Sequence, residues 1–582
     1  MLDYHAQVAA LERLRSRLDA EAAAAAPDPK LVALRDTVQT EWPSALLGAL
    51  LDHMIEHAQT TEAELAVLKR ASDTWVQVGR YLAAVAEVRV GLQALVLDPG
   101  QPGALDRFNV LATRLQDELK PKYDELMGRL KDIYGQLFAM KYIPPHGQAE
   151  DAPVASWPGR DLLQARRTGA LSAGLIDAAL ADGSDAAMAF AYGALSRYAA
   201  NVAGTPYVNN VVRGPRRSHP HRNRTARYTV GAWLRDHLPG GTMPLATLAS
   251  AVRFGSPLAP TLPPAIKAVA LSAWSAAYGA VGLATPPDLD KGYANLLEHL
   301  RLLTSFAPLP VPLPIDATLK AKIVAQQIQS NPSGPPGGVG SAPPASDANS
   351  NSNPFDDIPW WAWVLFGVCI ALVAACYLTG LCAPAKKDPY PGPFQGPDEQ
   401  TNAGQLKQYL TSDEALASVK TMFDLHCQLY SAAVQSLYVL KLLGLVYPDE
   451  IDLGDPNFAQ FTRAIPEGEI PLPRRPIAQP DRFLAIPLSD PELPSAIVSH
   501  FGTNATPDAF LSGPVQAGGS TLETYGFELW ATEATGGESE IRSINRDLDG
   551  DRGELHACWQ VTPGQSIADN PVPVDLLGYN RI

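Results

Sequence analysis

One uncharged, apolar run constrains this chain more than any other feature of its sequence. Residues 358–385 contain no charged side chain, and the stretch from Pro359 to Cys382 is apolar almost throughout. Twenty-four helical residues would span about 36 Å, against about 30 Å for the hydrocarbon core of a bilayer. Three tryptophans cluster at the start of the run, where aromatic rings favour the headgroup layer. The sequence therefore predicts a single transmembrane helix at 358–383.

The charges that flank this run leave two orientations open. Two aspartates precede it, and Lys386 and Lys387 follow it, so the positive-inside rule places the C-terminal side in the cytoplasm. No secretory signal is recognisable at the start of the chain to export the long N-terminal part. We therefore favour a single-pass protein of the bacterial cytoplasmic membrane with its N-terminus in the cytoplasm and its C-terminal domain outside.

Cysteine usage agrees with that second orientation. The first 368 residues contain no cysteine, and only Cys427 and Cys558 lie beyond the apolar run. In an oxidising compartment these two would be candidates for a disulfide. Two unrelated free thiols are the alternative.

Periodic apolar positions divide the rest of the chain into helical units. Leucines and aromatic residues recur every three or four positions before residue 145 and again from Asp161 to Phe306, as in amphipathic helices. Short apolar segments near the C-terminus, such as Thr524–Trp530 and Leu555–Val561, predict strands. The predicted fold class is therefore mainly α, with a small C-terminal α+β domain. The predicted order is a helical bundle at 1–145, a second helical domain at 155–325, a disordered linker at 326–357, the transmembrane helix at 358–383, a Pro-rich spacer at 384–402 and the C-terminal domain at 403–582.

A short histidine motif is a weak candidate for metal binding. His53, Glu56 and His57 form an H-x-x-E-H pattern, which on a helix places two imidazoles one turn apart for zinc. No third ligand follows at a recognisable spacing. A helical surface that carries two histidines is the preferred interpretation.

The most informative stretch lies in the second helical domain. Residues 189–209 read AFAYGALSRYAANVAGTPYVN, an arginine-rich segment and a further helical stretch at 222–233 follow, and RRTGAL precedes them at 166–171. This region resembles the helical zinc-dependent phospholipase C family, which is related in fold to S1/P1 nucleases. The resemblance covers about Asp161 to Phe306, a quarter of the chain.

The resemblance implies where a metal site would lie. Family members place histidines and carboxylates one helical turn apart, and the bound zinc ions activate water against a phosphodiester. In this chain the three histidine positions correspond to Arg197, Thr205 and Asn223, the aspartate position to Asn201 and the glutamate position to Arg227. All five ligands are replaced, two of them by arginine, which keeps its positive charge and repels a metal ion. We therefore expect a pseudoenzyme without a catalytic residue, metal or cofactor.

A basic cluster accompanies these replacements. No acidic residue occurs at 213–227, and the cluster could bind lipid phosphates or an acidic protein surface. A solvated basic loop is the alternative. The net charge of −15 and the lack of interleaved aromatic residues argue against nucleic acid as a partner. The candidate anion- or partner-binding residues are Arg213, Arg216, Arg217, His219, Arg222 and Arg224.

Domains of the resembled kind also occur beside phage-tail-like contractile injection systems in bacteria. The sequence therefore predicts a non-catalytic membrane anchor or adaptor that contacts membrane lipid and recruits a large protein assembly, with a contractile injection particle as the suspected partner. Two alternatives stay open: a membrane-bound phospholipase C-like hydrolase, and an envelope sensor or scaffold.

Overall fold

The protein is described here by a computed structural model, in which most of the described residues are helical. They form two compact units, each assembled from separated segments of the chain. Unit 1 comprises Met1–Ala66, Lys141–Thr304 and Leu440–Ile582, and unit 2 comprises Val67–Met140 and Ser305–Val439. The domains predicted from the sequence were consecutive, whereas these units alternate along the chain. The structure describes residues 2–59, 62–139, 157–212, 216, 220–238, 240–279, 285–330, 399–453, 522–543, 546–548 and 572–573.

The elements of secondary structure follow one another in a helical order interrupted by two small strand pairs. The first pair of strands is antiparallel and the second pair is parallel. In chain order the elements are α1 (Tyr4–Ala22), α2 (Pro29–Thr40), α3 (Trp42–Ala49), α4 (Leu51–Gln59), α5 (Glu62–Leu97), α6 (Ala104–Arg114), a π-helical turn (Leu115–Leu119), α7 (Lys120–Ala139), α8 (Gly159–Ala165), α9 (Thr168–Asp182), α10 (Asp185–Val212), α11 (Pro220–His237), α12 (Leu245–Ala251), β1 (Gly255–Ser256), β2 (Ala259–Pro260), α13 (Pro264–Tyr278), α14 (Leu289–Leu303), α15 (Ala317–Ser330), α16 (Glu399–Leu410), α17 (Asp413–Leu442), α18 (Glu450–Leu453), α19 (Leu522–Thr535), a 3₁₀ turn (Glu540–Arg542), β3 (Arg546–Asp547) and β4 (Val572–Pro573).

Aspartates start three helices of unit 1. Asp3, Asp28 and Asp288 each accept a hydrogen bond from a backbone amide in the first turn of α1, α2 and α14, respectively. Such caps satisfy amides that have no partner within the helix. At the other end of α9, Gly183 adopts a φ of 76°, the left-handed conformation in which glycine commonly ends a helix.

Two glycines let α3 and α10 cross with their backbones in contact. A Cβ atom on Gly48 would lie 2.0 Å from the carbonyl oxygen of Phe190, and one on Gly193 would lie 2.0 Å from that of Ala45. No larger residue fits at either position without moving a helix. Because α4 begins directly after α3, this crossing also brings α4 close to the centre of α10.

C-terminal residues belong to the same core as the N-terminal helices. Tyr447 donates a hydrogen bond to Asp3 Oδ2 at 2.7 Å, and the ring of Trp530 packs edge-on against Tyr192 at 5.7 Å. Trp530 is fully buried in the core of unit 1. The predicted single-pass topology placed these partners on opposite sides of a membrane. That topology is wrong, because residues separated by a bilayer cannot share one core.

The prediction of a transmembrane helix is corrected for a second reason. Among the described residues, no helix is both long enough and apolar enough to cross a membrane. The longest ones, α5 and α17, carry charged side chains in their interiors, such as Glu87 and Lys420. The predicted segment at 358–383 lies outside the described residues. The predicted location in the bacterial cytoplasmic membrane is not retained.

The mainly helical part of the predicted fold class is confirmed. One predicted strand is wrong, because Thr524–Trp530 lies inside α19. Tyr525 and Leu529, four positions apart, are both buried, which is the period of a helix facing a core. The other predicted strand, Leu555–Val561, lies outside the described residues.

Candidate functional site

A row of polar side chains runs along one face of α10 in unit 1. Arg197, Asn201 and Thr205 follow one another at intervals of four residues, which places them on the same side of the helix. All three are fully buried. They are also three of the five positions at which the resemblance predicted replaced zinc ligands.

Asp52 of α4 is the carboxylate that this face meets. Its Oδ1 accepts from Arg197 Nη1 at 2.5 Å, and its Oδ2 accepts from Asn201 Nδ2 at 2.6 Å and from Gln164 Nε2 at 3.2 Å. Neither Arg197 nor Asp52 exposes any of its side chain to solvent. The buried positive charge therefore has a buried negative charge in direct contact, together with two neutral donors.

Asn201 holds this arrangement in one orientation. Its Oδ1 accepts from the backbone amide of Leu2, from Gln7 Nε2 and from Thr205 Oγ1, each at 3.1 Å. An amide can donate to Asp52 with its nitrogen while its carbonyl oxygen accepts hydrogen bonds on the other side, which these three donors share. A carboxylate at this position would instead face the carboxylate of Asp52. Asn201, which is neutral and has an N–H group to donate, can therefore lie beside the negative charge of Asp52.

A second group of ion pairs forms around Glu56, one turn after Asp52 on α4. Glu56 Oε1 lies 3.0 Å from Arg216 Nη2 and 3.7 Å from Arg227 Nη2, and Arg216 Nη1 donates to Asp161 Oδ1 at 2.6 Å. Burial alone would raise the pKa of Glu56, but Arg227, Arg216 and Arg160 outweigh it and hold that pKa well below its usual range. Glu56 is therefore ionised near neutral pH, like a carboxylate that balances arginines.

Histidines of α4 and α14 meet a tyrosine of α1 beside these ion pairs. Tyr4 Oη lies 2.8 Å from His57 Nε2 and 2.9 Å from His299 Nδ1, and its ring is 4.1 Å from that of His53. The H-x-x-E-H motif thus faces inward, with its histidines near Tyr4 and its glutamate against arginines. No set of three or more His, Cys, Asp or Glu side chains among the described residues has the geometry to hold a metal ion.

Burial keeps the histidines of this region neutral, which makes the stability of unit 1 sensitive to acid. Desolvation lowers the pKa of His53 and of His5 to about 3, and lowers that of His299 well below its usual value. Between about pH 6.5 and pH 3 the unfolded chain therefore binds protons that the folded chain does not. Burial raises the pKa of Asp3 and of Asp452 to about 6, and also raises that of Glu12, so these carboxyl groups act in the opposite direction. The lowered pKa of Glu56 acts in the same direction as those of the three histidines.

We accordingly expect the free energy of unfolding to fall as the pH is lowered from 6.5 towards 4. Urea titrations at several pH values would measure this slope. Replacing His53 by glutamine removes one of the groups and should flatten the slope by about 1.4 kcal/mol per pH unit. An unchanged slope in that variant would contradict a neutral, buried His53.

The predicted basic cluster is not one exposed surface. Arg216 is buried and pairs with Asp161 and Glu56, and Arg224 Nε donates to the carbonyl oxygen of Leu443 at 3.1 Å. Arg213, Arg217 and His219 lie outside the described residues, as does the side chain of Arg222. For these four a role in binding an anion or a partner stays a prediction.

The remaining predicted positions are placed as follows. Asn223 and Arg227 lie four residues apart on α11, and both are buried. Cys427 is half-buried and forms no disulfide with a described residue, whereas Cys558 lies outside the described residues, so the predicted disulfide stays a prediction.

Sequence reasoning missed the carboxylates that balance the arginines. Asp52 and Glu56 are spaced one turn apart, but Glu56 was interpreted as part of the H-x-x-E-H metal motif and Asp52 matched no motif. Asp161 stands at the start of the resembling region but matched no motif. Arginines within an alanine-rich, apolar helix could have served as the signal, since such charges require acidic partners from elsewhere in the chain.

Comparison of the chain with protein-family models, with curated proteins and with solved structures finds no match in any of the three. The resemblance to the phospholipase C family accordingly rests on the residues named above.

Proposed function

We propose that this chain is a non-catalytic adaptor, built on a helical frame like that of the zinc-dependent phospholipases C, in which internal ion pairs replace the metal site. One observation carries the proposal. Arg197, at a position where the resembled family has a zinc ligand, pairs with Asp52 in the buried centre of unit 1. A permanently charged guanidinium cannot ligate a metal ion. It also pairs with the carboxylate of Asp52, which could otherwise serve as a metal ligand.

The other predicted ligand positions support the same proposal. Asn201 uses both ends of its amide within the protein, and Arg227 approaches Glu56. Glu56 and Asp161 are each in contact with Arg216. The carboxylates at the centre of the frame thus balance arginines, an arrangement that favours a stable scaffold over hydrolytic chemistry.

The partner of this adaptor is proposed from the sequence. The resemblance points to a large assembly, with a contractile injection particle as the candidate, and the segment at 213–227 supplies positive charge without an acid. Three of its arginines, Arg216, Arg224 and Arg227, are buried or bond to the backbone. Arg217 and Arg222 are therefore the better positions at which to test capture of an acidic surface.

The purified full chain should contain no stoichiometric zinc and should cleave neither phospholipids nor single-stranded nucleic acid. It should also co-sediment with purified injection particles, more strongly at low salt, because charge attraction is screened by ions. Arg217→Glu combined with Arg222→Glu should weaken co-sedimentation, whereas Arg35→Glu, a change at a surface arginine elsewhere in unit 1, should not.

Elemental analysis showing one or more zinc ions per chain would instead favour the hydrolase alternative. Failure to bind the particle at low salt, with the fold verified by circular dichroism, would contradict this choice of partner.

A further inference from the structure

Unit 2 contains a buried arginine that contacts no acidic side chain among the described residues. Arg89 lies on α5 and is only 1% exposed. Its Nη1 donates to the carbonyl oxygen of Pro314 over a long 3.5 Å, and its Cζ lies 5.5 Å from the ring centre of Phe423 on α17. Its Nε and Nη2 have no hydrogen-bond partner within the part of the chain that the structure describes.

The acidic side chains within two residues of Arg89, Pro314 and Phe423 along the chain are engaged elsewhere. Glu87 pairs with Arg114 at 2.8 Å, Asp424 pairs with Lys420 at 2.5 Å, and Asp316 accepts from the first amides of α15. The thiol of Cys427 cannot serve as a counter-ion, because burial and Asp424 raise its pKa to about 11. A buried charge without a partner destabilises a protein considerably, so Arg89 requires an anion from outside this set.

The unpartnered atoms of Arg89 indicate which kind of anion. Nε and Nη2 lie on one edge of the planar guanidinium and point their N–H bonds in parallel. This edge is the fork that binds two oxygens of one carboxylate or phosphate. A carboxylate or phosphate offers a separate oxygen to each N–H group, which a monatomic ion such as chloride does not.

A second unpartnered side chain lies on the same face of α17 as Phe423. His426 is 1% exposed, and the backbone of Pro310 lies near its ring, but neither ring nitrogen makes a well-formed hydrogen bond among the described residues. Burial and the charge of Arg89 lower its pKa to about 4, with the backbone of Pro310 acting weakly against them, so the ring is neutral at pH 7. A neutral imidazole still carries one N–H group that can donate to an anion.

We propose that Arg89 and His426 form a binding site for an oxyanion that presents two oxygens, a carboxylate or a phosphate. The segment between Ser305 and Asp316 provides a route to it. Apart from the Arg89 contact, this segment is bonded to α5 through Ser72 Oγ, Trp75 Nε1 and Gln93 Oε1, and its four prolines have no amide proton to add to these bonds. Local opening of such a segment would admit a small anion.

Thermal unfolding of the full chain, together with calorimetric titration, tests this site. The probes are potassium phosphate, acetate and chloride at matched ionic strength. Phosphate or acetate should raise the melting temperature above that in chloride and should bind at one site per chain. A response to phosphate alone assigns a phosphate ligand, and a response to acetate alone assigns a carboxylate.

Three variants separate the site from general salt effects. Arg89→Met should abolish the response and should raise the melting temperature in chloride, because it removes an unpaired buried charge. Arg89→Lys keeps the charge but not the fork, and should bind about tenfold more weakly. Arg80→Met, at an exposed position of α5, should leave the response intact. A response that is the same in Arg89→Met as in the unmodified chain, or no difference from chloride in any protein, would overturn the proposal.

Discussion

Replacing Asp52 by alanine is expected to lower the free energy of unfolding by about 3–5 kcal/mol, the usual loss when one partner of a buried ion pair is removed. The variant leaves Arg197 fully buried without the carboxylate that it contacts at 2.5 Å. It also removes the acceptor for Asn201 Nδ2 and Gln164 Nε2. Urea unfolding followed by tryptophan fluorescence would measure the change.

Two further variants show whether charge balance is the cause. Removing both charges, with Asp52→Leu and Arg197→Met together, should restore much of the loss, because buried ion pairs can often be exchanged for apolar side chains of similar size. Asp36→Ala breaks the exposed pair with Arg35 and should change stability by no more than about 0.5 kcal/mol. If Asp52→Ala were as mild as Asp36→Ala, the ion pair would not be a structural replacement for a metal.

The same pair shows how far the sequence could predict this site. Apolar periodicity indicated the helices, and the resemblance selected positions on α10 that are indeed buried side by side. Their partner on α4 lies 145 residues earlier in the chain. Local patterns carry no information about such a distance, so the replaced positions could be predicted but not what balances their charges.

The topology could not be predicted for a related reason. The apolar run was interpreted from its own composition and its flanking charges, which are local properties. The contacts that contradict a single crossing, from Asp3 to Tyr447 and from Tyr192 to Trp530, join segments hundreds of residues apart. The strand predicted at Thr524–Trp530 failed similarly, because short apolar runs fit a strand as well as a helix until their burial is known.

Gly193→Ala is expected to destabilise the protein by about 3 kcal/mol or more, at the upper end of the usual effect of overpacking a core. The added methyl group would lie 2.0 Å from the carbonyl oxygen of Ala45, and backbone cannot give way as a flexible side chain can. The helices α3 and α10 would have to separate, which would move α4 and its Asp52 away from Arg197. The loss should therefore exceed that from packing alone, and thermal or urea unfolding would measure it.

Gly128→Ala is the matched control, because Gly128 also lies inside a helix but no atom is found within 4 Å of an added Cβ. In open space the same change should stabilise by about 0.5–1 kcal/mol, since alanine restricts the unfolded chain and favours helix. Combining Gly193→Ala with Asp52→Ala then tests the link between crossing and ion pair. If separation of the helices already breaks the ion pair, the double variant will lose less stability than the sum of the losses in the two single variants. Full additivity would mean that the ion pair forms independently of the glycine crossing.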